Sequence, residues 1–248
     1  MTYCVGMLLD TGLVFLSDSR TSAGVDQIGT FRKTNVFEQP GERVLVLQTS
    51  GNLAISQAAI SILRERIQGG GDAPNLMNVR SMFDAARCVG DALREVHRND
   101  ADALRAFAVE FNTALVLGGQ IAGEAPRLFS IYAAGNFIEA TPDTTYFQIG
   151  ESKYGKPIID RVIRRSSSLN QAAKCALISM DSTIRSNLSV GLPLDLVIVK
   201  RDQQRVARHV TISDDNAYYS SIRDTWSEAL RHAFAQLPEP DWLNSGVR

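Results

Sequence analysis

The sequence predicts an α+β protein built as a four-layer αββα sandwich, with two mainly antiparallel sheets held between helical layers. Two observations predict it. Segments of strand and of helix come in blocks (strands, two helices, strands, two helices, strands, helix), without the strict strand-to-helix alternation of a parallel doubly wound sheet. The first strands are also apolar at nearly every position, as expected when another sheet covers one face and helices cover the other.

The elements follow in chain order. Thr2 to Leu9 runs apolar, Asp10-Thr11-Gly12 supplies a turn, and Leu13 to Leu16 runs apolar again up to Ser17-Asp18, which together read as a hairpin over 2–18. A second hairpin over 35–48 joins Asn35–Glu38 to Arg43–Gln48 around Pro40 and Gly41. From Leu53 the apolar spacing changes to i, i+3, i+4 through Ala59, Ile62, Leu63 and Ile67, which predicts a helix over 53–68. Gly69-Gly70-Gly71-Asp72 ends it, and helical spacing resumes over 79–96. Strands are expected at 113–117, 128–133 and 146–149, separated by Gly118-Gly119, Gly135-Asn136 and Pro142-Asp143. Helices at about 156–164 and 169–184 follow, then a hairpin joining 194–199 to 205–212 around Asp202-Gln203-Gln204. A helix near 215–235 and a tail with Pro238, Pro240 and Trp242 complete the chain. The expectation is a single domain over 1–248, the C-terminal helix and tail occupying about 215–248.

Composition narrows the function. The chain has 248 residues, 44% hydrophobic and 21% charged, enough for a sizeable core without staples. A formal net charge of −1 offers no global field for nucleic acid or an anionic membrane, so neither is expected as a partner. The opening residues lack the pattern of a secretory signal, and no apolar run reaches the ~18 residues of a membrane-spanning helix. Cys4, Cys88 and Cys175 show no CxxC spacing and suit a reducing compartment, so the expected location is the cytoplasm. His97, His209 and His232 are far apart without HxH or HExxH spacing, and neither a GxSxG elbow nor a GxxxxGK[ST] loop occurs. No metal and no cofactor is expected.

Position 2 carries the remaining chemistry. Methionine is removed efficiently only before a small residue, and Thr2 qualifies. Removal of Met1 leaves a hydroxyl and a free α-amine on one residue at the start of a buried strand. That amine, with an unperturbed pKa of about 7.7–8.0, can take the hydroxyl proton, directly or through water. By itself a small residue at position 2 is ordinary. The return strand, however, ends in Asp18-Ser19-Arg20-Thr21, and Lys33 follows the turn-like Gly29-Thr30, so a carboxylate and an ammonium can converge on the strand start.

The stretch TYCVGMLLDTGLVFLSDSRTSAGVDQIGTFRK, Thr2 to Lys33, resembles the start of a proteasome β-type subunit. The chain as a whole most resembles the bacterial proteasome-homologue family Anbu, the ancestral beta subunits. The resemblance implies the N-terminal-nucleophile hydrolase fold and a trio of Thr2, Asp18 and Lys33. In that trio the cationic Lys33 keeps the Thr2 amine unprotonated and Asp18 orients Lys33. The junction Thr49-Ser50-Gly51-Asn52 matches the family's Gly-Gly loop, whose backbone amides stabilise an oxyanion. Here it reads Ser50-Gly51, which leaves open which of the two amides serves and whether the Ser50 side chain only caps the helix. Supporting G-S-G and D-x-x-S motifs find their nearest matches in Gly150-Glu151-Ser152 and Ser186-Asn187-Leu188-Ser189, with Ser189 as the candidate. Cys4 is the rival thiol, set in a buried strand where cysteines are more often inert.

The function so implied is hydrolysis of peptide or other amide bonds by a threonine-type peptidase. The partners expected are the substrate and further copies of the chain itself, as a homo-oligomeric ring or open helix. Two alternatives stay open at this point: a catalytically silent scaffold subunit, and a non-proteolytic amidase of the same class.

Overall fold

The computed structural model describes residues 2–22 and 28–242. Met1, whose removal the sequence analysis expects, lies outside the described residues, as do 23–27 and the tail beyond Trp242.

The chain opens with β1 (Tyr3–Leu9) and β2 (Gly12–Asp18), buried at every position. The short strands β3 (Arg20–Ser22) and β4 (Ile28–Thr30) pair with each other as a two-stranded sheet. Next come β5 (Thr34–Gln39) and β6 (Arg43–Gly51), then α1 (Leu53–Gln68) and α2 (Met82–Ala106). Four strands follow, β7 (Thr113–Ile121), β8 (Arg127–Ile131), β9 (Phe137–Glu139) and β10 (Tyr146–Gly150), succeeded by α3 (Lys156–Val162) and α4 (Leu169–Ser186). The hairpin of β11 (Leu194–Lys200) and β12 (Val206–Ile212) leads into α5 (Ala217–Ala235).

The long strands form two five-stranded antiparallel sheets, in the orders β10-β1-β2-β11-β12 and β5-β6-β7-β8-β9. Each layer of apolar contact explains one sequence pattern. Residues of α1 and α2 such as Ile55, Leu63, Met82 and Leu93 pack on Leu45, Leu47, Leu115 and Leu117 of the second sheet. On the far side α3 and α4 place Ile159, Cys175, Ala176 and Met180 against Val5, Met7, Val14 and Leu16. Between the sheets lie Cys4, Phe15, Val44, Val46, Val116 and Val197. The continuous apolar runs of β1, β2 and β6 therefore serve two cores each, one per face. The expected αββα sandwich is the observed one.

Several boundaries differ. Gly118 and Gly119, expected as a turn, sit inside β7, and the chain turns instead at Gly123, where φ is +86°. Packing requires both glycines: a Cβ on Gly118 would stand 2.6 Å from Phe15 Cζ, and one on Gly119 would stand 2.1 Å from the Val44 carbonyl oxygen. Gly29 and Thr30 are likewise strand residues, in β4. Helix α2 starts at Met82 with Ser81 as its cap and continues ten residues past Val96 to Ala106. Its polar last turns are held by Leu104, which packs on the core, and by an Arg105–Asp102 pair at 3.1 Å. No helix among the described residues is long and apolar enough to cross a membrane.

Candidate active site

The start of β1 is fixed from three sides. Thr2 is 9% exposed, and its carbonyl accepts from the Glu151 amide at 2.6 Å, just beyond the end of β10. Gly150 lies beside it with φ +83°, and a Cβ there would fall 2.0 Å from the Thr2 carbonyl oxygen, so the close approach of the two chains requires glycine. The next residue, Tyr3, sends its side chain the other way. Its hydroxyl meets Ser179 Oγ of α4 at 2.5 Å and accepts from Gln148 Nε2 at 2.7 Å.

Asp18, at the end of β2, ties this strand start to Lys33. Its Oδ1 accepts from the Tyr3 amide at 3.0 Å and from the Lys33 ammonium at 2.8 Å. The side chains of the pair are 0% and 6% exposed, so the ion pair is shielded from solvent. Lys33 also donates to the Arg20 carbonyl at 2.5 Å, which fixes its ammonium between β3 and the strand start. Burial pushes the Asp18 carboxyl above the usual carboxylate range, while the Lys33 charge, its hydrogen bond and the Tyr3 amide pull it down. The Gly191 amide also faces the carboxylate and pulls in the same direction, although Oδ2 makes no hydrogen bond within 3.5 Å among the described residues.

Thr2, Lys33, Ser50 and Gly51 line one cavity of about 450 Å³, together with Thr21, Asn112, Ala114 and Gly150. Gly51 ends β6 with φ +95°, and a Cβ on it would sit 2.4 Å from the Asn112 carbonyl oxygen. The cap of α1 is Asn52, whose side chain accepts from the Ala54 amide at 3.0 Å. Ser50 instead directs its hydroxyl to the Ala114 carbonyl at 3.3 Å, so it does not cap the helix. Asp18 stands behind Lys33 and outside the lining.

Ser189 is placed differently. It is not among the residues lining the cavity, and its amide donates to Asn187 Oδ1 at 3.0 Å. Asn187 Nδ2 in turn donates to Glu151 Oε2 at 3.1 Å, and the other Glu151 oxygen accepts from the Lys153 amide at 3.0 Å. A buried glutamate and an asparagine thus link the loop after α4 to the peptide that grips Thr2. Sequence reasoning missed Asn187 as a link, and likewise the Arg20 carbonyl and Asn112. The first was hidden by a search for a serine, the others act through main-chain atoms that carry no residue signature. Cys4 is wholly buried, its thiol 3.6 Å from the Thr49 carbonyl; burial pushes it far up, with Asp18 adding and Lys33 opposing. It is a poor nucleophile.

No protein-family model matches the chain, and neither does any curated protein. Solved structures do. The chain is similar to Anbu (ancestral beta-subunit) from Yersinia bercovieri, at 55% identity over 97% of this chain and 99% of that one, with a TM-score of 0.91. The Anbu complex from Pseudomonas aeruginosa, solved as a helical assembly, matches at 52% identity, covering 96% and 98% of the two chains, with a TM-score of 0.91. A Gly-1 mutant of Anbu from Hyphomicrobium sp. strain MC1 matches at 51% identity over 97% of this chain and 100% of that one, also with a TM-score of 0.91. Identity at this level across whole chains makes this protein a member of the Anbu family of proteasome-like ancestral β-subunits.

Proposed function

We propose that the chain is a threonine-type amide hydrolase in which Thr2, freed of Met1, is both nucleophile and base. The observation that carries this reading is that Lys33, paired with the buried Asp18, lines the same cavity of about 450 Å³ as Thr2. In a pocket of this kind a fixed cation disfavours protonation of a nearby amine, which keeps the Thr2 α-amine available at neutral pH.

The steps balance as follows. The Thr2 hydroxyl oxygen attacks the substrate carbonyl, and its proton passes to the α-amine. A backbone amide of the Ser50–Gly51 junction stabilises the oxyanion. The C–N bond breaks, the leaving amine takes the proton from the α-ammonium, and a threonyl ester remains. Water then adds to the ester with the amine again as base, and the acid leaves as Thr2 regains its proton. Asp18 positions Lys33 and the Tyr3 amide together through one oxygen. Ser189, with Asn187 and Glu151, supports the Thr2 peptide from outside the cavity.

The functional unit is a single domain that assembles with copies of itself, as a ring or an open helix. The helical assembly of the Pseudomonas relative supports self-association. The free, buried cysteines suit the cytoplasm.

The test is turnover of fluorogenic peptide amides. Thr2→Ala should abolish it, and Thr2→Ser should retain part of it. Intact mass should show loss of Met1, and a threonine-directed covalent inhibitor should add its mass to the wild type but not to Thr2→Ala. Turnover by Thr2→Ala at the wild-type rate rules the mechanism out. Full retention of Met1 in every preparation favours the silent scaffold.

A further inference from the structure

A second cavity, of about 520 Å³, adjoins the first and shares Thr49, Leu53 and Ser56 with it. Its charge differs from that of the whole chain, whose 26 basic and 27 acidic residues nearly cancel. Arg32 and Arg64 line it, and no aspartate or glutamate among the described residues does. Arg64 projects from α1, and its Nη2 donates to Asn35 Oδ1 of β5 at 2.9 Å. That neutral partner fixes the guanidinium without cancelling its charge. Arg32 has no carboxylate partner among the described residues. His209 also lines it, and its Nε2 lies 3.7 Å from an oxygen of the buried Asp195.

We infer that this second cavity receives an acidic side chain of the substrate, Glu or Asp, with Arg64 and Arg32 setting the preference. The inference rests on the threonine reading, because it places the acidic residue next to the bond that Thr2 would cleave. Guanidinium groups bind carboxylates through paired N–H donors, which a glutamine of the same shape cannot match in charge. Both arginines reach solvent, so the gain is modest and falls with salt. Arg64 and Arg32 are therefore specificity-determining residues, separate from the groups that would perform the chemistry.

Binding can be measured without turnover. The Thr2→Ala protein is titrated with two fluorescein-labelled tripeptide amides, Ala-Ala-Glu and Ala-Ala-Gln, and anisotropy is read at low salt and at about 0.5 M salt. The Glu probe should bind roughly fivefold tighter at low salt, the ratio should collapse at high salt, and Arg64→Glu should reverse it. Arg32→Glu provides a second charge reversal should Arg64→Glu lose its fold by circular dichroism. Equal binding of the two probes, or binding of neither, overturns the inference. Turnover of the matching fluorogenic substrates separates it from the hydrolase reading. If the Glu preference holds in binding while the wild type cleaves neither substrate, the subsite stands and the hydrolase reading fails. Cleavage of both substrates at one rate by an enzyme that labels on threonine means the reverse.

Discussion

Removal of Lys33 would strand a buried charge. Lys33 satisfies a carboxylate that is 0% exposed, and Asp18 has no other cation within 4.0 Å among the described residues. Lys33→Ala leaves that carboxylate buried without its cation, which costs about 3–5 kcal/mol. The deficit should depend on pH in a defined sense. Burial already raises the Asp18 carboxyl, and loss of the Lys33 charge raises it further. A raised folded-state pKa contributes stability that is complete below the unfolded value and is lost as pH rises through the folded value. Urea melts should therefore show the Lys33→Ala deficit smallest in acid and growing towards neutrality; a deficit of constant size would contradict this account of Asp18. At this scale the Asp18–Lys33 pair was legible in the sequence because a carboxylate and an ammonium stand out there in a recognisable setting. Asn187 and Asn52 were not, since an asparagine that links or caps looks like any loop residue until the fold brings its partner to it.

Among the elements, the register of β1 against β10 positions the candidate nucleophile. Tyr3 pairs with Gly150, and one step further Glu151 grips the Thr2 carbonyl. Apolar runs bounded by turn residues showed both strands in the sequence, but pairing between residues about 150 positions apart leaves no local signature. The same limit explains Gly118 and Gly119, whose usual turn chemistry was overridden by the close contact with Phe15 and the Val44 carbonyl. It also explains β9, three residues long and defined only by pairing with β8. Gly150→Ala tests the register. A side chain at φ +83° is strained, and its Cβ would press 2.0 Å from the Thr2 carbonyl oxygen, so the strand start has to shift. The variant should lose more than about 1 kcal/mol of stability. Its turnover should fall by roughly a hundredfold, as expected of about 1 Å of misplacement at a reacting group. Retained wild-type kcat/KM would show that the Gly150 contact does not position Thr2.

On the scale of the whole molecule, the two sheets must hold a fixed spacing, because one contributes Thr2 and Asp18 while β6 of the other contributes Ser50 and Gly51. Phe15 sets much of that spacing. It sits in β2 opposite Gly6 in β1, is 0% exposed, and points its ring tip at Gly118 in the facing sheet. The two glycines make room for one large ring where two branched side chains would otherwise meet. Truncation leaves a cavity that the flanking strands, each packed on its own helical layer, can close only in part. Phe15→Ala should therefore cost about 3–5 kcal/mol in denaturant melts. Thr2→Ala should cost far less, since it removes only a small group at a strand start. The contrast separates architecture from chemistry: Phe15→Ala should lose stability and turnover together, and Thr2→Ala should keep its melting profile and lose turnover. If Phe15→Ala melts like the wild type, the sheet spacing is set elsewhere in the inter-sheet layer, with Val116 and Leu128 the first positions to truncate.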